Sequence, residues 1–240
     1  MNIFFDIIIF ISFALLAYWI SAVIHELGHV VVGLAHGWKL FMFVVGPIGI
    51  KRKEDGLHLY FEKNVVLWFG VGGTLPVKND ADNMKVWAKI LLGGPIASLL
   101  AGILFLAIFI IHPNLVWLLL GAIPIGMGIA CLLPLKTGIS YSDGKRWHRI
   151  HKGGKGKAEE TALFNMIMID QFCKDYVSIQ KSDFEALLDS KNSVLRYYGL
   201  YFSYRYYDAH NDFDNKSLTL DALHKMEKDV PKFIVDDCKL

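Results

Sequence analysis

The sequence predicts a polytopic membrane protein: a three-helix transmembrane core with a small membrane-associated β-sheet, plus a C-terminal α-helical soluble region. Three observations predict it. Three apolar runs are each long enough to cross a bilayer, a β-rich stretch broken by Gly and Pro separates the first two, and the chain turns polar and helix-periodic after about residue 152. Composition agrees. Hydrophobic residues make up 54% of the 240 and charged residues 20%, against about 45–50% and 25% in soluble domains. The mean hydropathy is +0.37. The net charge of +2 gives no basic surplus for a nucleic-acid partner. Cys131, Cys173 and Cys238 follow no spacing motif, which argues against a disulfide framework and against a cysteine zinc site.

The first apolar run extends from Ile3 to about Gly37, with no charge between Ile7 and Ile24. A spanning helix needs about 20 apolar residues, so a span is expected over about 7–36. A cleaved signal peptide would need a basic start and an apolar stretch of about 7–15 residues, and neither is present. The second run, expected as a span over 86–111, has Lys89 near its start. The third, expected over 115–135, has no charged side chain. Lys and Arg are absent before Lys39 and between Ile90 and Leu135; they gather in Lys39–Lys89 and from Lys136 onward. The positive-inside rule then puts the N-terminus outside and the C-terminus in the cytoplasm. The short His112-Pro113-Asn114 turn falls outside.

Between the first two spans, residues 40–77 carry short β-prone pieces around Gly46-Pro47 and Asp55-Gly56, the pattern of hairpins or a small sheet. Asn64 to Val71 continue that pattern, and Gly72-Gly73 are expected to end it. The membrane core is thus expected over 1–150. Residues 151–157, rich in Lys and Gly, read as a flexible basic linker. Residues 158–240 read as a cytoplasmic helical domain, with apolar residues at helical spacing around Ala162–Ile169, Phe184–Leu188 and Leu218–Met226. The aromatic stretch from Tyr197 to Tyr207 reads as a packed helix face.

The chemistry lies inside the first span. Residues 25–29 read His-Glu-Leu-Gly-His. On a helix His25 and His29 stand one turn apart on one face, where two neutral imidazoles can share a zinc ion, and Glu26 lies on the neighbouring flank within reach of a water at the metal. Charged groups in lipid cost on the order of 2.5–3.5 kcal/mol each on insertion scales, so an ionisable cluster there marks a functional interior. A catalytic zinc takes three protein ligands and keeps one position open. His36, His58 and Asp143 are candidates for the third, whereas His112 falls on the opposite side of the membrane. Asp143-Gly144 also reads as a plain turn.

Three motifs in this order carry a resemblance: His25-Glu26-Leu27-Gly28-His29 in the first span, Gly93-Gly94-Pro95-Ile96-Ala97-Ser98 in the second, and Leu133-Pro134 followed by Asp143-Gly144 after the third. Over roughly residues 10–150 the chain resembles the site-2 protease family of intramembrane zinc metallopeptidases, peptidase family M50. The resemblance implies one Zn2+ per chain, with His25, His29 and Asp143 as ligands and Glu26 as the catalytic base. It also implies that the β-rich insert matches the family's membrane-associated sheet, and that the partners are the lipid bilayer and a membrane-embedded peptide or protein substrate. The expected location is a bacterial cell membrane. Two positions depart from the family pattern. Cys131 stands where the family has Asn, and the interval from Pro134 to Asp143 is longer, with Gly138 able to loop out. The implied activity is hydrolysis of peptide bonds within or near the membrane segments of a small membrane-anchored or precursor peptide. The rival is a catalytically inactive membrane scaffold, binding a cytoplasmic partner through its C-terminal helices.

Overall fold

The computed structural model describes residues 3–53, 55–78, 80, 82–137, 140–170 and 174–238. Gly138, invoked above as a looping point, and Cys173 lie outside the described residues. By their internal contacts the residues fall into two compact units, Met1–Leu135 with Ser142–Trp147 and Lys136–Tyr141 with His148–Leu240.

The first unit begins with helix α1 (Ile3–Ala35), which exposes large apolar side chains over most of its first half, Asp6 in its first turn apart. It ends in a Schellman motif. Gly37 takes a positive φ of 79°, its N–H bonds Leu34 O at 2.9 Å, and Trp38 N–H bonds Gly33 O at 3.0 Å. Glycine fits there because a Cβ disfavours that backbone region. Strands β1 (Lys39–Val45), β2 (Ile48–Lys53) and β3 (Gly56–Phe61) follow, then β4 (Val71–Leu75). They form an antiparallel sheet in the order β3-β2-β1-β4, which leaves β4 as an edge strand. The turn at Gly46-Pro47 sets the first register, pairing Val45 with Ile48.

The expected β-pattern over Asn64–Val71 gives way to a 3-10 helix, Val65–Phe69. The Asn64 side chain accepts a bond from Val66 N–H at 3.1 Å and so turns the chain into a helical path. Gly72-Gly73 do not end the β-rich stretch; they lie within β4, paired with Phe43 and Met42. The lack of a side chain at Gly72 is used by α1, as described below.

Helices α2 (Asn83–Ile111) and α3 (Leu115–Leu132) complete the apolar bundle. Among the described residues, α1, α2 and α3 are the helices long and apolar enough to cross a membrane. Their large side chains face outward: Ile8, Leu15, Leu100, Ile103 and Ile110 are exposed. Small residues face inward, as in helices that associate without a hydrophobic driving force. A Cβ on Gly93 would fall 2.5 Å from Gly28 O, so α1 and α2 touch backbone to backbone there. The expected third span to Leu135 ends instead at Leu132. Leu133 precedes Pro134 and is extended, with ψ 137°, because the proline ring disfavours the helical conformation before it.

A two-stranded ribbon, β5 (Lys136–Thr137) and β6 (Ser140–Tyr141), leads into α4 (Asp143–Lys152). The second unit then carries α5 (Gly154–Met168), α6 (Lys181–Leu188), α7 (Ser193–Ala209), α8 (Phe213–Met226) and α9 (Lys232–Asp237). The stretch 151–157 is therefore not a coil. It holds the end of α4, the break at Gly153-Gly154 with positive φ at both, and the start of α5. Ala162, Met166, Phe184, Leu187, Tyr197, Tyr201, Phe202 and Leu223 form this unit's core, and the aromatic face of α7 packs into it. Arg149 binds Glu159 at 2.5 Å and Glu160 at 2.9 Å, all three largely buried, and it also lies over the Tyr141 ring.

Candidate metal centre

Helical spacing puts His25 and His29 on the same face of α1, with ring centroids 5.0 Å apart. Both are buried, at 5% and 7% exposure. Each ring is held through Nδ1. His25 Nδ1 lies 2.9 Å from Ser98 Oγ on α2, and His29 Nδ1 lies 2.6 Å from Ile90 O about two turns earlier on α2. A carbonyl can only accept, so His29 carries its proton on Nδ1. Gly94 N–H also points at that nitrogen, at 3.3 Å, but the shorter bond requires His29 to be the donor there. With the Ser98 hydroxyl accepting from His25, both imidazoles turn a bare Nε2 to the same place.

Asp143 completes the group as the first residue of α4. Its Oδ2 lies 3.3 Å from His25 Nε2 and 3.5 Å from His29 Nε2. One ligand atom from each of the three residues lies within 4.8 Å of the others. An ionised carboxylate and two imidazoles with bare Nε2 atoms are the ligand forms that a divalent metal takes. Zinc bonds of about 2.0–2.2 Å at tetrahedral angles separate ligand atoms by about 3.3–3.5 Å, which is the spacing seen between Asp143 and each histidine. The donor set fits a divalent metal.

Three contacts put Asp143 there. The Ser142 hydroxyl donates to Leu133 O at 2.6 Å and accepts from Leu135 N–H at 3.0 Å and Lys145 N–H at 3.2 Å, so it caps α4 and ties it to the end of α3. Gly144 is not a turn residue; it lies in the first turn of α4, and a Cβ there would run into the backbone of Leu132. The Arg146 guanidinium lies over the Trp87 ring of α2, 5.1 Å from its centroid.

Glu26 lies beside the group, on the flank of α1 that meets β4. A Cβ on Gly70 would fall 2.8 Å from its Oε1, and one on Gly72 would fall 2.9 Å from its Oε2. The glycines thus let a sheet edge approach the carboxylate. The Tyr18 hydroxyl donates to Phe69 O at 3.1 Å and pins the chain just before β4 to α1. The other histidines weighed as candidates lie elsewhere. His36 bonds Val32 O and meets Lys89, His58 bonds Asp55, and His112 follows the last turn of α2. Sequence reading overlooked the Ile90 carbonyl, which no side-chain pattern reveals, and Ser142, which a Ser before Asp-Gly could have signalled as a helix cap. Ser98, read as a helix-contact residue, is fully buried and also partners His25.

Apolar helices with two imidazoles and a carboxylate whose ligand atoms lie within 4.8 Å of one another define a class: a helical bundle with a group that could hold a metal ion. The sequence profile of peptidase family M50 matches residues 13–231, and the chain belongs to that family. Membership supports a metallopeptidase of the site-2 protease type, and M50 peptidases are zinc-dependent in general. No curated protein and no solved structure matches the chain.

Proposed function

We propose that the chain is an intramembrane zinc metalloprotease, cutting peptide bonds within or near the membrane segment of a small membrane-anchored or precursor peptide. The observation that carries this is the convergence of His25 Nε2, His29 Nε2 and Asp143 Oδ2, with Glu26 beside them. His25, His29 and Asp143 would hold one zinc. When bound, zinc supplies Lewis-acid polarisation of the peptide carbonyl and lowers the pKa of water.

The chain's own residues do the rest. Glu26 takes a proton from the attacking water and delivers it to the leaving amide nitrogen. Ser98 and Ile90 O fix the tautomers that aim both Nε2 atoms at the metal position. An edge of the sheet would take up an unwound substrate segment, which can add as a strand. The lack of side chains at Gly70 and Gly72 lets β4 lie against Glu26. The short turn at His112–Asn114 and the bundle of three helices suit a small substrate. α1, α2 and α3 would span the membrane of a bacterial cell, with the N-terminus outside and the C-terminal helices cytoplasmic. Those helices are the part suited to a cytoplasmic partner.

The test is zinc content together with cleavage of a transmembrane test peptide, comparing the purified protein with Glu26→Gln. About one zinc per chain in both, with cleavage by the unmodified chain alone, is the expected result. Equal cleavage by Glu26→Gln, or no zinc in either, overturns the proposal and leaves the inactive scaffold, which the Cys131 departure keeps in view.

A further inference from the structure

The metal position draws its donors from two helices, α1 and α4, and something must hold one in register with the other. Two residues of α2, one turn apart, stand where that is done. Ile90 O holds the His29 ring at 2.6 Å. Trp87 stacks on Trp38 with ring centroids 6.4 Å apart and planes 12° from parallel. On Trp87 lies the Arg146 guanidinium, 5.1 Å from the ring centroid. Arg146 is three residues after Asp143, on the next turn of the same helix. Trp38, the last residue of the Schellman motif that ends α1, is 5% exposed. The ladder Trp38–Trp87–Arg146 therefore runs from the end of α1, across α2, to the helix that carries Asp143.

We propose that Arg146 is a positioning residue for the metal centre: its guanidinium, seated on the Trp38–Trp87 stack, holds the first turn of α4 so that Asp143 meets His25 and His29. This rests on the reading of those three residues as zinc ligands. The Ser142 cap and the Gly144 contact with Leu132 tie α4 to the end of α3, and further along the helix Arg149 binds Glu159 and Glu160. Arg146 supplies a fixed point on α2, one turn from the carbonyl that orients His29. A planar cation over an indole suits the task, because the attraction to the ring face needs no hydrogen-bond geometry. Arg is the better cation for it, since its flat guanidinium can stack on the ring.

The experiment uses the full chain in detergent or nanodiscs, with Arg146→Ala, Arg146→Lys and Asp143→Ala compared with the unmodified protein. Zinc affinity is measured by chelator competition, and the visible spectrum is recorded after replacing zinc with Co2+. The expected result is a zinc affinity about 10-fold weaker in Arg146→Ala, as for loss of an outer partner of a metal ligand. Its Co2+ spectrum should shift and its melting temperature without metal should change little. Arg146→Lys should recover part of both the affinity and the spectrum. An Arg146→Ala chain with unchanged affinity and spectrum overturns the proposal. So does an affinity loss that follows the metal-free melting temperature alone and is not rescued by Lys. If the unmodified chain binds no zinc, or Asp143→Ala binds it equally well, the ligand assignment itself fails, which is a different result.

Discussion

Replacing Ser98 with Ala removes one hydroxyl and nothing else from the metal centre. The Ser98 oxygen lies 2.9 Å from His25 Nδ1 and the residue is 0% exposed, so water has no direct route to replace it. Leaving a buried donor without its acceptor costs about 1–3 kcal/mol. At about 1.4 kcal/mol per tenfold, that is roughly 5- to 150-fold. The same range follows independently from metal sites, where losing the partner of a ligating imidazole costs about 10–100-fold in affinity. Ser98→Ala should therefore bind zinc about 10–100-fold more weakly, measured by competition with a graded series of chelators, and lose activity at limiting zinc while regaining most of it in excess. A zinc affinity within about threefold of the unmodified chain would refute the reasoning. It would mean that the His25 ring is fixed by packing alone and that the Nδ1 bond is incidental.

Gly94→Ala should be worse, since its Cβ would lie 2.7 Å from His29 Cε1 and 2.8 Å from Cδ2; overpacking of this kind costs about 1–3 kcal/mol, visible as a lower melting temperature and lost zinc together. Stripping the metal with a chelator should lower the melting temperature, and zinc should restore it, because Asp143 then faces two bare imidazole nitrogens at 3.3 and 3.5 Å with no cation between them. In the second unit, Arg149→Ala leaves Glu159 and Glu160 buried without their cation, a change worth about 3–5 kcal/mol of destabilisation. Hydrogen exchange should report that loss in α5 while a metal titration shows the zinc affinity unchanged.

The helices were legible because apolar length is a physical requirement that sequence states openly, and so was the His25–His29 pair, because helical spacing turns four residues into one face. Asp143 stands in the sequence as one of three candidates, and the resemblance singles it out. Its place depends on a backbone contact at Gly144 and a cap at Ser142, and neither leaves a periodic trace. The glycines were misread for the same reason. Gly72 looked like the end of a strand and Gly144 like a turn, yet each marks a close approach by another element, which is a tertiary fact. The 3-10 helix at Val65–Phe69 was hidden by β-prone residues and revealed only by the Asn64 cap. Likewise the Lys- and Gly-rich 151–157 stretch reads as coil by composition, whereas the break is confined to Gly153-Gly154.

The donor set has one more consequence, in electrostatic balance. Two neutral imidazoles contribute no charge, and Asp143 and Glu26 together contribute two negative ones when ionised. A divalent ion brings the cluster to neutrality, whereas a monovalent ion such as Cu(I) leaves it anionic and a trivalent one leaves it cationic. In water that difference would be screened, but among apolar helices an uncompensated charge costs several kcal/mol. The surroundings of the site would then select an ion by valence before geometry selects among the divalent ones.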